Sequence, residues 1–235
     1  CGDCGHFPCI CPCPNCGERP CICPCPECGE RPCVCLKKPK KVKIKLADGK
    51  ERVIQHMMAT TFWNPDGTPI SAAQFIERLF GELPAMFRDE DELRALWGRP
   101  DTRKALLDGL AEKGYGQDQL TEIKAMIDAE KSDLFDVLAY IAFALAPISR
   151  EERVATHRAN IDAHYADKQQ AFLDFVLGVY IKDGVRELDQ DRLPLLIESK
   201  YGGLSDGIAE LGSIPEIRDA FIGFQQYLYA EVGVA

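Results

Sequence analysis

A chain of 235 residues, 46% of them hydrophobic, is long enough to bury one sizeable core, and its formal net charge of −9 is unevenly spread. Residues 1–45 hold eight Lys or Arg against four Asp or Glu, a net +4, while the remainder holds 20 against 33, a net −13. Such an acidic body excludes broad, unaided phosphate binding, which rests on Lys and Arg, and suits a partner with a basic surface.

The first 36 residues repeat a phrase of twelve. Cysteines fall at Cys1, Cys4, Cys9 and Cys11, then Cys13, Cys16, Cys21 and Cys23, then Cys25, Cys28, Cys33 and Cys35. These are three copies of C-x2-C-x4-C-x-C, and no cysteine follows. Cys-Pro-x-Cys-Gly, at 13–17 and 25–29, is similar to the knuckle of zinc ribbons and rubredoxins. Proline stiffens the turn, two thiolates converge, and glycine lets backbone N–H groups face the sulfurs. Four thiolates close a tetrahedral structural site, so the twelve cysteines are expected to hold up to three Zn2+ with no open catalytic position. Each such centre is formally an anion, so full metallation turns this end of the chain net negative. Two other readings stay open: a multimetal or redox cluster sharing ligands across the tight spacer, and an inert tail left by duplication of one knuckle. Reduced thiols place the chain in the cytoplasm. The start lacks the charged and apolar regions of a secretory signal, and beginning at Cys1 rather than Met points to a fragment of a longer protein. The longest apolar run, Val137 to Ile148, falls short of the roughly 20 residues a membrane span needs.

Residues 37–68 read as a lysine-rich linker and a β-hairpin. Lys37, Lys38, Lys40, Lys41, Lys43 and Lys45 surround Pro39, either as a contact for phosphate or an acidic surface, or as a solvated linker. Val42, Ile44 and Leu46 alternate with lysine, Asp48-Gly49 turns the chain, and Val53-Ile54 continues it, which is a hairpin pattern. A third extended run ends in the turn Asn64-Pro65-Asp66-Gly67. Phe62 and Trp63, within that run, read as a partner anchor or as local core.

Residues 69–235 carry helical periodicity throughout. Ser71 is placed to cap a first helix with Phe75, Ile76, Leu79, Phe80 and Leu83 on one face. A second runs from Asp89 to Trp97 and stops at Gly98. A third starts at Pro100, turns Leu106, Leu107 and Leu110 inward, and stops at Gly114. Further helices are expected over 117–130, 133–145, 149–164, 167–183, 189–200, 204–211 and 215–230. The stretch 133–145, DLFDVLAYIAFAL, is apolar nearly all round and reads as the buried central helix. The fold class is therefore mainly α: a multi-helix C-terminal body, a small N-terminal β-hairpin element and a Cys-rich metal-binding segment.

No catalytic centre emerges. The G-x-x-x-x-G-K-[ST], H-E-x-x-H and G-x-S-x-G patterns are missing. His157 and His164 are expected on one helix face, about 10 Å apart, too far to share a metal. Glu122–Lys124 and Glu198–Lys200, the latter with Asp189 and Asp191 upstream, have the form of nuclease Mg2+ ligands at the frequency that chance alone gives. The charges along Arg150–Arg158 read as a solvated face.

Several phrases resemble one family. VKIKLADGKERVIQHMMATTFWNPDGTPISAAQFIERLFGELP looks like the start of the C-terminal helical domain of type I restriction enzyme R subunits of the EcoEI-like kind. LRALWGRPDTRKALLDGL, SDLFDVLAYIAFA, REERVATHRANI and KQQAFLDFVLGVYIKDGVRELDQDRLPLL resemble the same domain in the same order, and a C-P-x-C-G-x-x-P-C-x-C knuckle ahead of it fits. The resemblance covers about residues 40–230. It implies a non-catalytic part of a type I site-specific deoxyribonuclease, which docks an ATP- and Mg2+-dependent motor and nuclease, both upstream, onto a methyltransferase–specificity core. DNA would be met through that complex, with a weak contact through Lys37–Lys45, and no membrane is involved. Two other functions stay open: a stand-alone zinc-ribbon nucleic-acid-binding protein, and a metal-buffering protein.

Overall fold

Lysines alternating with Val42, Ile44 and Leu46 give the first element of the computed structural model, which describes residues 41–55, 62–63 and 67–231. Strands β1 (Lys41–Lys45) and β2 (Glu51–Gln55) pair as a hairpin. Gly49 takes a left-handed φ of 77°, and its N–H donates to the Leu46 carbonyl at 3.0 Å, while Asp48 Oδ1 accepts from Lys50 N at 2.9 Å. Ile44, Leu46 and Ile54 are buried and the lysines face solvent. A second pair, β3 (Phe62–Trp63) with β4 (Pro69–Ile70), is antiparallel, with Phe62 opposite Ile70 and Trp63 opposite Pro69.

Ten α-helices follow among the described residues, as expected for a mainly α body. Ser71 caps α1 (Ala72–Glu82) in a reciprocal box with Gln74, and Phe75, Ile76 and Leu79 are buried. Leu83 lies in a 3-10 turn (Leu83–Ala85) rather than in α1, because Pro84 cannot supply the next helical N–H. Asp89 caps α2 (Glu90–Trp97), and α3 (Pro100–Glu112) opens on its proline. Gly98 between them is right-handed, and its role is contact: a Cβ there would lie 3.0 Å from the Gln226 Cα. α4 (Gln117–Met126) is shorter than the expected 117–130, ending before Asp128, which has a φ of 58°.

The central helix is α5 (Leu134–Phe143), in which residues 134–139 and Ile141 are buried. It packs on α1, α2 and α4. α6 (Arg150–Asp162) and α7 (Asp167–Asp183) follow, and then two 3-10 turns, Val185–Leu188 and Gln190–Arg192. The helix expected from 189 begins only at α8 (Leu193–Tyr201), because Leu188 and Asp189 are drawn inward by hydrogen bonds to Gln225 and Arg103. α9 (Leu204–Leu211) and α10 (Ile214–Leu228) complete the body, with α10 packed against α2, α6, α7 and α9. Among the described residues no helix is long and apolar enough to cross a membrane.

Candidate functional site

Four helices meet around two carboxylates at the N-terminal end of α5. Asp133 precedes the helix and Asp136 lies in its first turn, so both sit where the helix dipole favours negative charge. Asp136 Oδ2 accepts from Asp133 N at 3.0 Å, and Asp136 Oδ1 accepts from Ile148 N at 3.3 Å and from Arg153 Nη2 at 2.7 Å. Asp133 Oδ2 accepts from two phenols, Tyr180 Oη of α7 at 2.5 Å and Tyr229 Oη just after α10 at 2.6 Å. Arg153 of α6 lies over the rings of Phe135 and Tyr229, 5.0 and 4.8 Å from their centroids. Arg150 adds bonds to the carbonyls of Ser132 and Ile181 at 2.9 and 3.0 Å.

The electrostatics follow from burial. Withdrawal from water pushes the Asp136 carboxyl up, against the pull of Arg153. Burial works against the Arg153 charge, but Asp136, Tyr229, Tyr180 and Asp133 together outweigh it and hold the guanidinium protonated. Burial likewise raises both phenols, so they stay donors. His157, one turn along α6, is pushed down to about 4 by burial and then by Arg153 and Arg94, and is neutral at pH 7.

Two further locks hold α5 and α10. At the C-terminal end of α5, Arg52 of β2 donates to the carbonyls of Tyr140 and Ile141, each at 2.7 Å, and pairs with Asp48 at 2.8 Å. Tyr140 Oη returns the contact, donating to Val53 O at 3.1 Å and accepting from Val53 N at 2.5 Å. In α3, buried Arg103 donates to Gln225 Oε1 at 2.9 Å and Asp189 Oδ1 at 2.8 Å, and Gln225 Nε2 donates to Leu188 O at 2.8 Å.

A hollow of about 180 Å³ opens beside the first cluster, under the α5–α6 connection. Phe135, Ala139, Leu145, Ala146 and Ile148 form its apolar wall, with Arg94, Asp136, Arg153 and His157 on the other side. A wider groove of about 460 Å³ runs between Gly98–Thr102 and the α10 residues Asp219, Ile222, Gly223 and Gln226. Its charged residues, Arg99, Asp101 and Asp219, are exposed, so it holds no desolvated polar group.

The model of a family described as EcoEI R protein C-terminal matches residues 73–229, from the start of α1 to the residue after α10. The chain belongs to that family. It is also 26% identical over 137 residues to the type I restriction enzyme EcoAI endonuclease subunit of Escherichia coli. That match covers 52% of this chain and 16% of the relative, so the chain spans a small part of that protein's length. No solved structure matches.

For this EcoEI R C-terminal domain, the residues singled out in the sequence fall in several places. All twelve cysteines, with Lys37, Lys38 and Lys40, lie outside the described residues. Among the described residues no group of three or more His, Cys, Asp or Glu is placed to hold a metal. Lys41, Lys43 and Lys45 are exposed on β1, and Lys43 pairs with Glu51 at 2.7 Å. Phe62 is buried and stacks on Phe75, with ring centroids 4.3 Å apart, while its neighbour Trp63 is 62% exposed. Phe62 is therefore core, and Trp63 points the other way along the strand.

Three expectations are corrected. His164 does not share a helix face with His157: α6 ends at Asp162, and His164 stacks on Tyr227 at 4.0 Å while His157 is buried. The upstream aspartate Asp189 serves Arg103, and Lys200 lies over the Phe175 ring, 5.5 Å from its centroid, so the Glu198–Lys200 group is tied to structure. Arg150–Arg158 is not a solvated face, because Arg153 and His157 are 1% and 4% exposed. A signal for this was available. Val154 and Ile161 alone are too thin a stripe to bury α6, and positions 153 and 157 complete that stripe.

Proposed function

We propose that residues 73–229 are the subunit-docking domain of a type I restriction endonuclease R subunit, joining an upstream ATP- and Mg2+-dependent DNA motor to the methyltransferase–specificity core. The family match across all ten helices carries this reading. The buried charges support it: Arg153, Arg103 and Arg52 are each spent on joining one helix or strand to another, as a rigid load-transmitting body requires. The acidic surface suits a basic protein partner better than DNA. The twelve cysteines are proposed as ligands for structural Zn2+ ahead of this body, and the cytoplasm as its compartment.

Co-elution of this chain with a purified methyltransferase–specificity complex, by size exclusion at moderate salt, tests the docking role. A shared peak supports it. Separate elution of a folded, monodisperse chain counts against it. Replacing Cys25, Cys28, Cys33 and Cys35 with serine tests zinc, since bound metal and melting temperature should both fall.

The exposed lysines of β1 favour a second reading, contact with a nucleic-acid backbone. Binding that weakens linearly on a log–log plot against salt, and that survives deletion of residues 46–235, would mark it.

A further inference from the structure

The hollow beside α5 carries an inference that rests on the docking reading and sharpens it. We propose that it is an anchor pocket for one tyrosine side chain of a protein partner, with the ring against Phe135, Ala139 and Leu145 and the hydroxyl toward Arg153 and His157.

Size comes first. A volume of about 180 Å³ is close to that of an apolar cavity of about 150 Å³ known to take one benzene ring. It lies below the roughly 300–1,000 Å³ of pockets that hold a free ligand of drug size. One ring-bearing side chain fills it, and the rest of the partner would lie on the surface outside. The mouth is reachable, because Ala146 is exposed and Leu145 and Ile148 are half-buried.

Chemistry narrows the side chain. The Arg153 side chain is 1% exposed, and its Nε has no hydrogen-bond partner among the described residues. A buried donor left in that state is costly, and an arriving acceptor relieves it. His157 in its neutral form adds one donor and one acceptor. Phenylalanine would leave these groups unmet, whereas a phenol both donates and accepts.

Charge excludes ions. Arg153 already faces Asp136 at 2.7 Å and Asp133 at 4.0 Å, and Arg94 is paired with Glu90. An incoming carboxylate would meet two carboxylates of its own sign. An ammonium would meet two guanidinium groups. The occupant these surroundings fit is neutral, aromatic and hydroxylated.

N-acetyl-tyrosinamide is the probe, titrated into this chain by ligand-detected NMR beside the phenylalanine and aspartate analogues. The tyrosine analogue should bind at least about tenfold better than the phenylalanine one, the loss expected when a buried donor is left unpaired. The aspartate analogue should not bind. Ala146→Trp, which covers the mouth from an exposed position, should abolish binding and weaken co-elution with the methyltransferase–specificity complex while leaving the melting temperature unchanged. Should Ala146→Trp misfold, Ala146→Leu gives the same comparison with a smaller change. Equal binding of the tyrosine and phenylalanine analogues, or undiminished binding by a folded mouth-covering variant, overturns the pocket. If the parent chain does not co-elute, the docking reading fails and the analogue series alone decides the pocket. If it co-elutes and the folded variant does so equally well, docking stands and the anchor is elsewhere.

Discussion

Arg153 Nη2 lies 2.7 Å from Asp136 Oδ1, and the two side chains are 1% and 5% exposed. Residues 17 positions apart, on α5 and α6, are thus joined by a desolvated ion pair. Two carboxylates share one guanidinium there, so removing the cation strands both. Arg153→Met should cost about 3–5 kcal/mol in urea unfolding, the range for breaking a buried pair. Arg153→Met combined with Asp136→Asn should cost less than the single change, because fewer charges are left unpaired. A double variant no more stable than Arg153→Met would refute the pairing as the source of the loss.

His157 sets a pH dependence. Unfolded, it takes up a proton below its ordinary 6.5; folded, it resists to about 4. The folded state therefore binds fewer protons across that window, and the stabilisation present above about 6.5 is lost as pH falls toward 4. At roughly 1.4 kcal/mol per pKa unit the loss is about 2–3 kcal/mol. Asp136, held above the usual carboxylate range by burial, has the opposite sign and lessens the loss at the acid end. His157→Gln should flatten the decline in stability between pH 7 and pH 4. An unchanged slope in that variant would assign the decline to other groups.

Local chemistry explains which parts of this fold could be read directly. Ser71 with Gln74, Asp89 before α2, Pro100 and the glycine at 114 act within one turn of chain, and the helices begin or end where those residues predict. The central α5 was legible because its apolar content leaves no face for water. Arg153 was not legible in that way. REERVATHR looks solvated until Asp136, Tyr180 and Tyr229 arrive from three other helices, and no local pattern encodes those meetings. The same holds for Asp189, whose partner Arg103 lies 86 residues earlier.

Arg52 locks the hairpin to the end of α5 through two carbonyls and Asp48. Its planar fork reaches all three acceptors at once, which a lysine ammonium does not reproduce. Charge-assisted bonds of this kind contribute about 1.5–3 kcal/mol each, so Arg52→Met should lose about 3 kcal/mol and Arg52→Lys should recover only part of it. Hydrogen exchange reads the lock locally. The Val53 amide, bonded to Tyr140 Oη at 2.5 Å, should lose protection before the amides of α5 do. Parallel loss in both would show that Arg52 supports the whole body rather than the hairpin contact.

Gly207 tests how closely α8 and α9 are pressed together. A Cβ built there would lie 2.2 Å from Ile197 Cγ2, well inside contact distance. Gly→Ala inside a helix ordinarily gains about 1 kcal/mol from propensity. Here overpacking should reverse the sign, giving a net loss of about 1–3 kcal/mol. Ile197→Ala alone should cost about 2–5 kcal/mol through the space it leaves. Together the two changes relieve each other, since the new methyl occupies part of the volume the isoleucine vacates. The double variant should therefore be more stable than the sum of the single losses predicts, with a coupling above about 1 kcal/mol in a double-mutant cycle. Additive losses would mean that α9 shifts away from α8 to admit the methyl, and that Ile197 is not what excludes it.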